Sequence, residues 1–300
     1  MSEEKNMFSH IIGTGLGPRR MDYTWRDVAL YNVAIGATKD DLPYVWEKHP
    51  DFKALPTFYL TPYLNSILMQ PVREVPYAPN EILGDVIIEA RNGNIPNRLH
   101  MAMDVVIHKP VTPLGGTFLT KDRVNKVYDW GDKGVVGEMT MNLFDLAGNP
   151  VADLTSLHYH AAFGNFGGEK FVGSSIRFPD REPDFIVMDK LADNQAILYR
   201  LMGDTYSTHV DPAVGRSYGY EGTFMQGLCT LGFACRMAIQ ELIPYEAERV
   251  THFGGQLRSI CYPGENLKLC GWKIENGKIY YKLFGREDKL LVSNGIMEWK

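Results

Sequence analysis

Apolar positions in the first part of the chain recur at helical spacing. The stretch "TWRDVALYNVAIGA", Thr24 to Ala37, has Thr24 where a helix N-cap belongs and Asp27 three positions on. That combination ahead of an apolar stripe predicts an opening helix. "TFYLTPYLNSILMQ", Thr57 to Gln70, is apolar on nearly every side, which predicts a buried helix whose Pro62 gives an early kink or a late start. From about Leu99 the period shortens. "HMAMDVVIHKP", "GGTFLTKDRVNKVYDWGDK" and "GVVGEMTMNLFDLAGNPVADLTSLHYHAAFG" alternate in part and are bounded by Pro-Leu-Gly-Gly, Gly-Asp-Lys-Gly and Ala-Gly-Asn-Pro turns. An antiparallel meander follows from that texture.

"GNFGGEK" (Gly164 to Lys170) and "FPDREPD" (Phe178 to Asp184) form the stretch richest in Gly, Pro and charge, the natural place for a linker. Beyond it the order repeats. A segment that must curl, Leu201 to Pro212, leads into the apolar helical run "GTFMQGLCTLGFACRMAIQEL" (Gly222 to Leu242) and then into strands, with Asn276-Gly277 marking a hairpin. Each half therefore consists of a buried helix followed by an antiparallel sheet, an α+β arrangement whose two sheets can pair side by side. No residue-level repeat joins the halves, and the duplication rests on element order alone. The expected bounds are 1–163 for the first half, 164–184 for the linker and 185–300 for the second.

Composition narrows the function classes. The chain of 300 residues, 45% hydrophobic and with formal charge -5, can bury a core unaided and lacks the basic footprint of a nucleic-acid binder. No window approaches the ~18 apolar residues of a membrane span, and "MSEEKNMFSH" is not a secretory leader. Cys229, Cys235, Cys261 and Cys270 show no Cys-x-x-Cys spacing and are expected as buried free thiols in a reducing compartment, with the cytoplasm as default.

Chemistry concentrates in "RLMGDTYSTHVDP", Arg200 to Pro212. Asp204 and His209 lie five apart, which leaves them about 140° apart on a helix and on opposite faces of a strand. They meet only if the segment curls, as Gly203 and the Asp211-Pro212 turn allow. Elsewhere, His158 and His160 share one strand face but have no third ligand nearby in sequence, so no metal site is expected. "GTGLGP", Gly13 to Pro18, has no strand before it and ends in Pro18 rather than glycine; a flexible arm is expected there instead of a nucleotide loop.

Three blocks, "YNVAIGATKDDLPYVWEKHPDFKALPTF", "GDTYSTHVDPAVGRSYGYEGTFMQGLCTLGFACRMAIQ" and "CYPGENLKLCGWK", resemble the MaoC-like hydratase 2 family of 2-enoyl-CoA hydratases. The likeness runs from about Arg26 to the C-terminus. It implies a double hot-dog fold, two antiparallel sheets each wrapped on a central helix. It also implies reversible hydration of a trans-2-enoyl-CoA to the (R)-3-hydroxyacyl-CoA, with coenzyme A entering only as part of the substrate and no separate cofactor. The family pattern Gly-Asp-x-Asn-Pro-x-His-x-Asp-Pro is matched by Gly203, Asp204, His209, Asp211 and Pro212, and its His-Gly-Leu-Cys by Gly227, Leu228 and Cys229. By that match His209 activates water and Asp204 protonates Cα, while the N–H of Gly227, at a helix start, suits the charge on the thioester oxygen.

Three positions depart: Tyr206 replaces the family's Asn, Ser207 its Pro, and Gln226 its His. A phenol is bulkier than a carboxamide and Gln lacks a titratable ring, so Tyr206 and Gln226 point to an unusual, bulky or cyclic acyl group. His100 falls in the family's Leu-His-Gly block and is expected to line the pocket or support it. A thioesterase or acyl-carrier dehydratase on the same fold, or a non-catalytic acyl-CoA binder, stays open, as does a homodimer.

Overall fold

The structure, a computed structural model, describes residues 7–15, 18–68, 83, 86–87 and 98–300, with only the backbone course of 65–68. Its frame is one antiparallel sheet of ten strands in the order β1-β3-β4-β5-β2-β7-β10-β9-β8-β6. The N-terminal half supplies β1 (Arg19–Thr24), β2 (Arg98–Ile107), β3 (Gly115–Asp129), β4 (Val135–Phe144) and β5 (Pro150–His160). The C-terminal half supplies β6 (Phe185–Lys190), β7 (Val250–Leu257), β8 (Asn266–Glu275), β9 (Lys278–Phe284) and β10 (Leu290–Trp299). Counted outward from the β2–β7 seam, both halves place their own second, fifth, fourth, third and first strands in that order. The duplication expected from element order is thus a duplication of topology, and the fold is the double hot dog.

Local chemistry accounts for the elements. Helix α1 (Trp25–Ala34) begins where the Asp27 carboxylate accepts from the Thr24 N–H at 2.7 Å and its hydroxyl at 2.8 Å, covering donors that a helix start leaves open. Asn32 on α1 is fully buried; its amide donates to the carbonyls of Tyr44 and Lys53 and its oxygen accepts from the Leu55 N–H. This one side chain pins the loop that follows α1, including the single turn α2 (Leu42–Val45). The buried run expected from Thr57 to Gln70 is a 3-10 turn, Pro56–Leu60, followed by α3 (Thr61–Leu68). Pro62 lies in the first turn of α3, where a missing N–H costs nothing, and the last two residues of that expected helix lie outside the described ones.

In the C-terminal half come α4 (Gln195–Tyr199), α5 (Pro212–Ser217) and the long α6 (Gly227–Leu242). Residues 228–239 of α6 are all buried, as an all-round apolar helix requires, and α6 lies across β6, β7, β8 and β10. The two halves are stitched at the end of α1, whose Ala34 carbonyl accepts from Gln195 at 2.8 Å and whose Ile35 carbonyl accepts from Arg236 Nε at 2.7 Å. These are the carbonyls a helix C-terminus leaves open.

Strands β1 and β6 were not expected from the pattern; each is six residues long and sits at a sheet edge. The flexible arm expected at Gly13 to Pro18 is corrected at its start: the Gly13 N–H donates to the Val124 carbonyl, the Val124 N–H to that of Thr14, and Phe8 and Ile11 are buried just before it. After β5 the crossover is held by Asp129, whose buried carboxylate accepts from the N–H groups of Gly131, Asn165 and Gly167 and from Lys170 Nζ.

At the seam, His252 on β7 sits 2.8 Å from Asp104 on β2 and 3.7 Å from Glu298 on β10. The hydrogen bond to Asp104, aided by both carboxylate charges and opposed by burial, raises its pKa above 6.5. The stabilisation is full below the unfolded pKa and fades as pH rises through the folded one. His252→Gln is therefore expected to lower the melting temperature more at about pH 5.5 than at about pH 9, by the equivalent of about 0.5 kcal/mol for a solvent-screened pair. Equal losses at both pH values in a thermal melt would exclude a charged His252.

Candidate active site

The segment from Arg200 to Pro212 curls as its composition requires. A 3-10 turn, Arg200–Met202, ends on Gly203 at φ 122, and a second, Ser207–His209, begins three residues after Asp204. Gly203 lies in a region of backbone space that a side chain disfavours. Asp211 then caps α5 by accepting from the Ala213 N–H at 2.8 Å. The curl brings His209 Nε2 to 3.9 Å from Asp204 Oδ2, with both residues buried.

The tautomer of His209 follows from its other nitrogen. Nδ1 lies 2.8 Å from the Phe224 carbonyl, which can only accept, so Nδ1 carries the hydrogen and Nε2 is the nitrogen left to face Asp204, with a lone pair there when the ring is neutral. The Phe224 ring meets the imidazole edge-on at 5.1 Å and helps fix its plane. A separation of 3.9 Å is too long for a direct hydrogen bond and short enough for one water to touch both atoms. Burial raises the Asp204 pKa above its ordinary value, opposed by His209 and the Tyr206 N–H, and Oδ1 has no hydrogen-bond partner among the described residues. A carboxyl whose pKa burial raises and an imidazole nitrogen aimed at it across one gap are a pair suited to acid and base roles.

Gly227 opens α6 and is half-buried. Its N–H belongs to the first helical turn, which has no carbonyl of its own to bond. A Cβ at this position would lie 2.5 Å from Leu257 Cδ1, so packing as well as access favours glycine. Gln226, the N-cap, is fully buried; its amide donates to the Ala196 carbonyl at 3.0 Å and its oxygen has no partner among the described residues. Tyr206 is half-buried, accepts at its hydroxyl from Arg98 at 3.2 Å, and lies under that guanidinium at 5.3 Å. His100 stacks on His158 at 4.4 Å and lies two positions along β2 from Arg98.

Sequence reasoning missed Phe224, whose contribution is a backbone carbonyl, and Arg98, which is 108 positions from Tyr206. No group of residues among those described could hold a metal ion, and no helix among them is long and apolar enough to cross a membrane. A surface cleft of about 990 Å³ beside α5 is lined in part by Arg216, Tyr262, Lys268 and Arg286. Gly222 and Thr223 also line it, which sets its wall next to the carbonyl that holds His209.

Comparison with known proteins matches residues 21–156 to the MFE-2 hydratase 2 N-terminal domain and residues 175–291 to the MaoC-like domain. The chain is 27% identical to a probable enoyl-CoA hydratase 2 of Dictyostelium discoideum, over 95% of this chain and 94% of that one. It is likewise 27% identical to the peroxisomal multifunctional enzyme type 2 of Mus musculus, where it spans 38% of the longer protein. Among solved structures, a MaoC-like dehydratase from Phytophthora capsici superposes with a TM-score of 0.81 at 27% identity, covering 97% of each chain.

Proposed function

The chain belongs to the MaoC-like hydratase 2 family, and on that premise we propose that it adds water reversibly to a trans-2-enoyl-CoA, giving the (R)-3-hydroxyacyl-CoA. The observation that carries this reading is the lone pair of His209 Nε2, fixed by Phe224 and aimed across 3.9 Å at Asp204. Nε2 takes a proton from the bridging water as its oxygen bonds to Cβ, the π electrons move onto Cα, and Asp204 delivers a proton there. Dehydration runs the same steps backwards. The N–H of Gly227 opposes the charge that develops on the thioester oxygen, where the α6 dipole adds to it. A water held between the two side chains reaches the bound double bond from one side, so its oxygen adds to one face of Cβ, which supports a single product enantiomer.

In the cleft beside α5, Arg286 is paired with Glu221 and Lys268 with Asp288, so Arg216 is the lining cation offered to the phosphates of coenzyme A. Tyr206, braced on Arg98, supports an acyl group larger than a simple chain. Four buried free thiols suit a reducing compartment, and the reading places the protein in the cytoplasm; imaging a tagged chain against a peroxisomal marker checks that assignment.

The test is His209→Gln on a panel of straight, branched and ring-bearing trans-2-enoyl-CoA thioesters, following the conjugated enoyl absorbance and the configuration of the product. Glutamine keeps hydrogen bonding but cannot accept the proton, so a loss of at least ~10²-fold in kcat is expected. A variant as fast as wild type, or release of free coenzyme A thiol in place of hydration, overturns the proposal.

A further inference from the structure

The inner face of the N-terminal sheet is polar where a core should be. Strand register places Val124, Met139, Ser156 and Met103 in one row across β3, β4, β5 and β2; Val127, Gly137, His158 and His100 in the next; and Asp129, Val135, His160 and Arg98 in the third. On the β3 and β4 side these rows feed a small apolar cluster containing Val124, Val127, Val135 and Met139. On the β5 and β2 side the same rows hold Ser156, His158, His160, His100 and Arg98. His158 and His160 are only 8% and 2% exposed.

Burying imidazoles among apolar side chains opposes folding unless their nitrogens are paired. The pairing here is incomplete. His158 Nε2 lies 3.0 Å from the Tyr63 hydroxyl. His100 Nε2 lies 2.9 Å from the Ala102 carbonyl, so it carries the hydrogen and leaves Nδ1 as an acceptor. His160 Nε2 is buried with no partner among the described residues. Burial lowers the pKa of all three, to about 4 for His100 and His160, and neutral rings each present one donor and one acceptor.

We propose that this histidine floor is the acyl subsite, and that it selects an acyl group carrying an uncharged oxygen function, a hydroxyl, beyond the reacting double bond. The inference rests on the hydratase reading and extends it to substrate class. Continuity with the reacting centre comes from Tyr206, two residues from Asp204, bonded to Arg98 in the same row as His160. A hydroxyl both donates and accepts, as the neutral rings do. A plain chain would leave His160 Nε2 unpaired. A carboxylate would need the Arg98 guanidinium, which already bonds and covers Tyr206.

The experiment compares a medium-chain trans-2-enoyl-CoA with isomers carrying one hydroxyl at successive positions along the chain. Turnover is measured on wild type, and binding of the same thioesters is measured by calorimetry on the Asp204→Asn variant. The best hydroxylated isomer is expected to be preferred by roughly 10- to 100-fold in both kcat/KM and binding, the effect of leaving one buried hydrogen-bonding group unpaired. His160→Leu, checked for folding by circular dichroism, should abolish that preference, because leucine offers the hydroxyl no hydrogen-bond partner. Equal turnover and equal binding of plain and hydroxylated thioesters by the unsubstituted floor overturn the inference and leave the hydratase reading standing. Preferential binding with no hydration of any thioester sustains the subsite and overturns the hydratase reading instead.

Discussion

Asp204→Asn is expected to abolish hydration and, in the same protein, to raise the melting temperature. An amide cannot deliver the proton that Cα requires, so kcat should fall by roughly 10³-fold. The stability gain has a separate origin. Below the pKa of the unfolded chain's carboxyl both states are protonated and burial costs nothing on that account. As pH rises the unfolded chain ionises first, because burial raises the pKa of Asp204 in the fold, and stability declines until the folded carboxyl has lost its proton too. Asparagine has the same shape and never ionises, so its advantage should grow with pH from acid to neutral and then level off. Melting curves of the two proteins across that range, alongside the enoyl assay, check both halves. A variant that is inactive but less stable than wild type at neutral pH would mean that the carboxylate is satisfied in the fold.

Arg236→Met is expected to destabilise the protein by about 3 kcal/mol, the lower end of the range for breaking a buried charged contact. Arg236 is 3% exposed. Its guanidinium bonds the Ile35 carbonyl, the Gln240 amide oxygen and the Asp189 carboxylate, joining the end of α1, helix α6 and edge strand β6. Methionine fills much of the volume and restores none of the bonds, leaving a buried carbonyl and a half-covered carboxylate. With an unfolding entropy near 2.1 cal/mol/K per residue, that loss corresponds to about 5 °C in melting temperature. Differential scanning calorimetry decides it. A shift under about 1 °C would show that Asp189 and Ile35 find solvent and that Arg236 adds little to the joint between the halves.

Much of this architecture was legible because local chemistry and global fold agree. Asn276-Gly277 turns the β8–β9 hairpin with Gly277 at φ 77, Thr24 and Asp27 open α1, and the apolar run after Gln226 is α6. The edge strands were not legible, since "RRMDYT" and "FIVMDK" are short, charged and supported from one side only. In the site, the curl around Asp204 and His209 could be read from Gly203 and Pro212. The partner that fixes the imidazole could not, because a backbone carbonyl leaves no trace in residue identity. The meeting of His100 with His158 depends on strand register, which shifts between His100 and Ala102, a one-residue irregularity that alternation alone does not disclose.

The matched strand order of the two halves, closed at the β2–β7 seam, makes this chain the covalent counterpart of a two-fold dimer of half-length subunits. In a true dimer every residue appears twice, so a histidine introduced to recognise one end of a substrate would also enter the place where the other end reacts. Joining the copies lifts that constraint. One half can keep Asp204, His209 and the start of α6, while the other gives its inner face over to recognition, and substitutions such as His158 and His160 change what is bound without touching the groups that react.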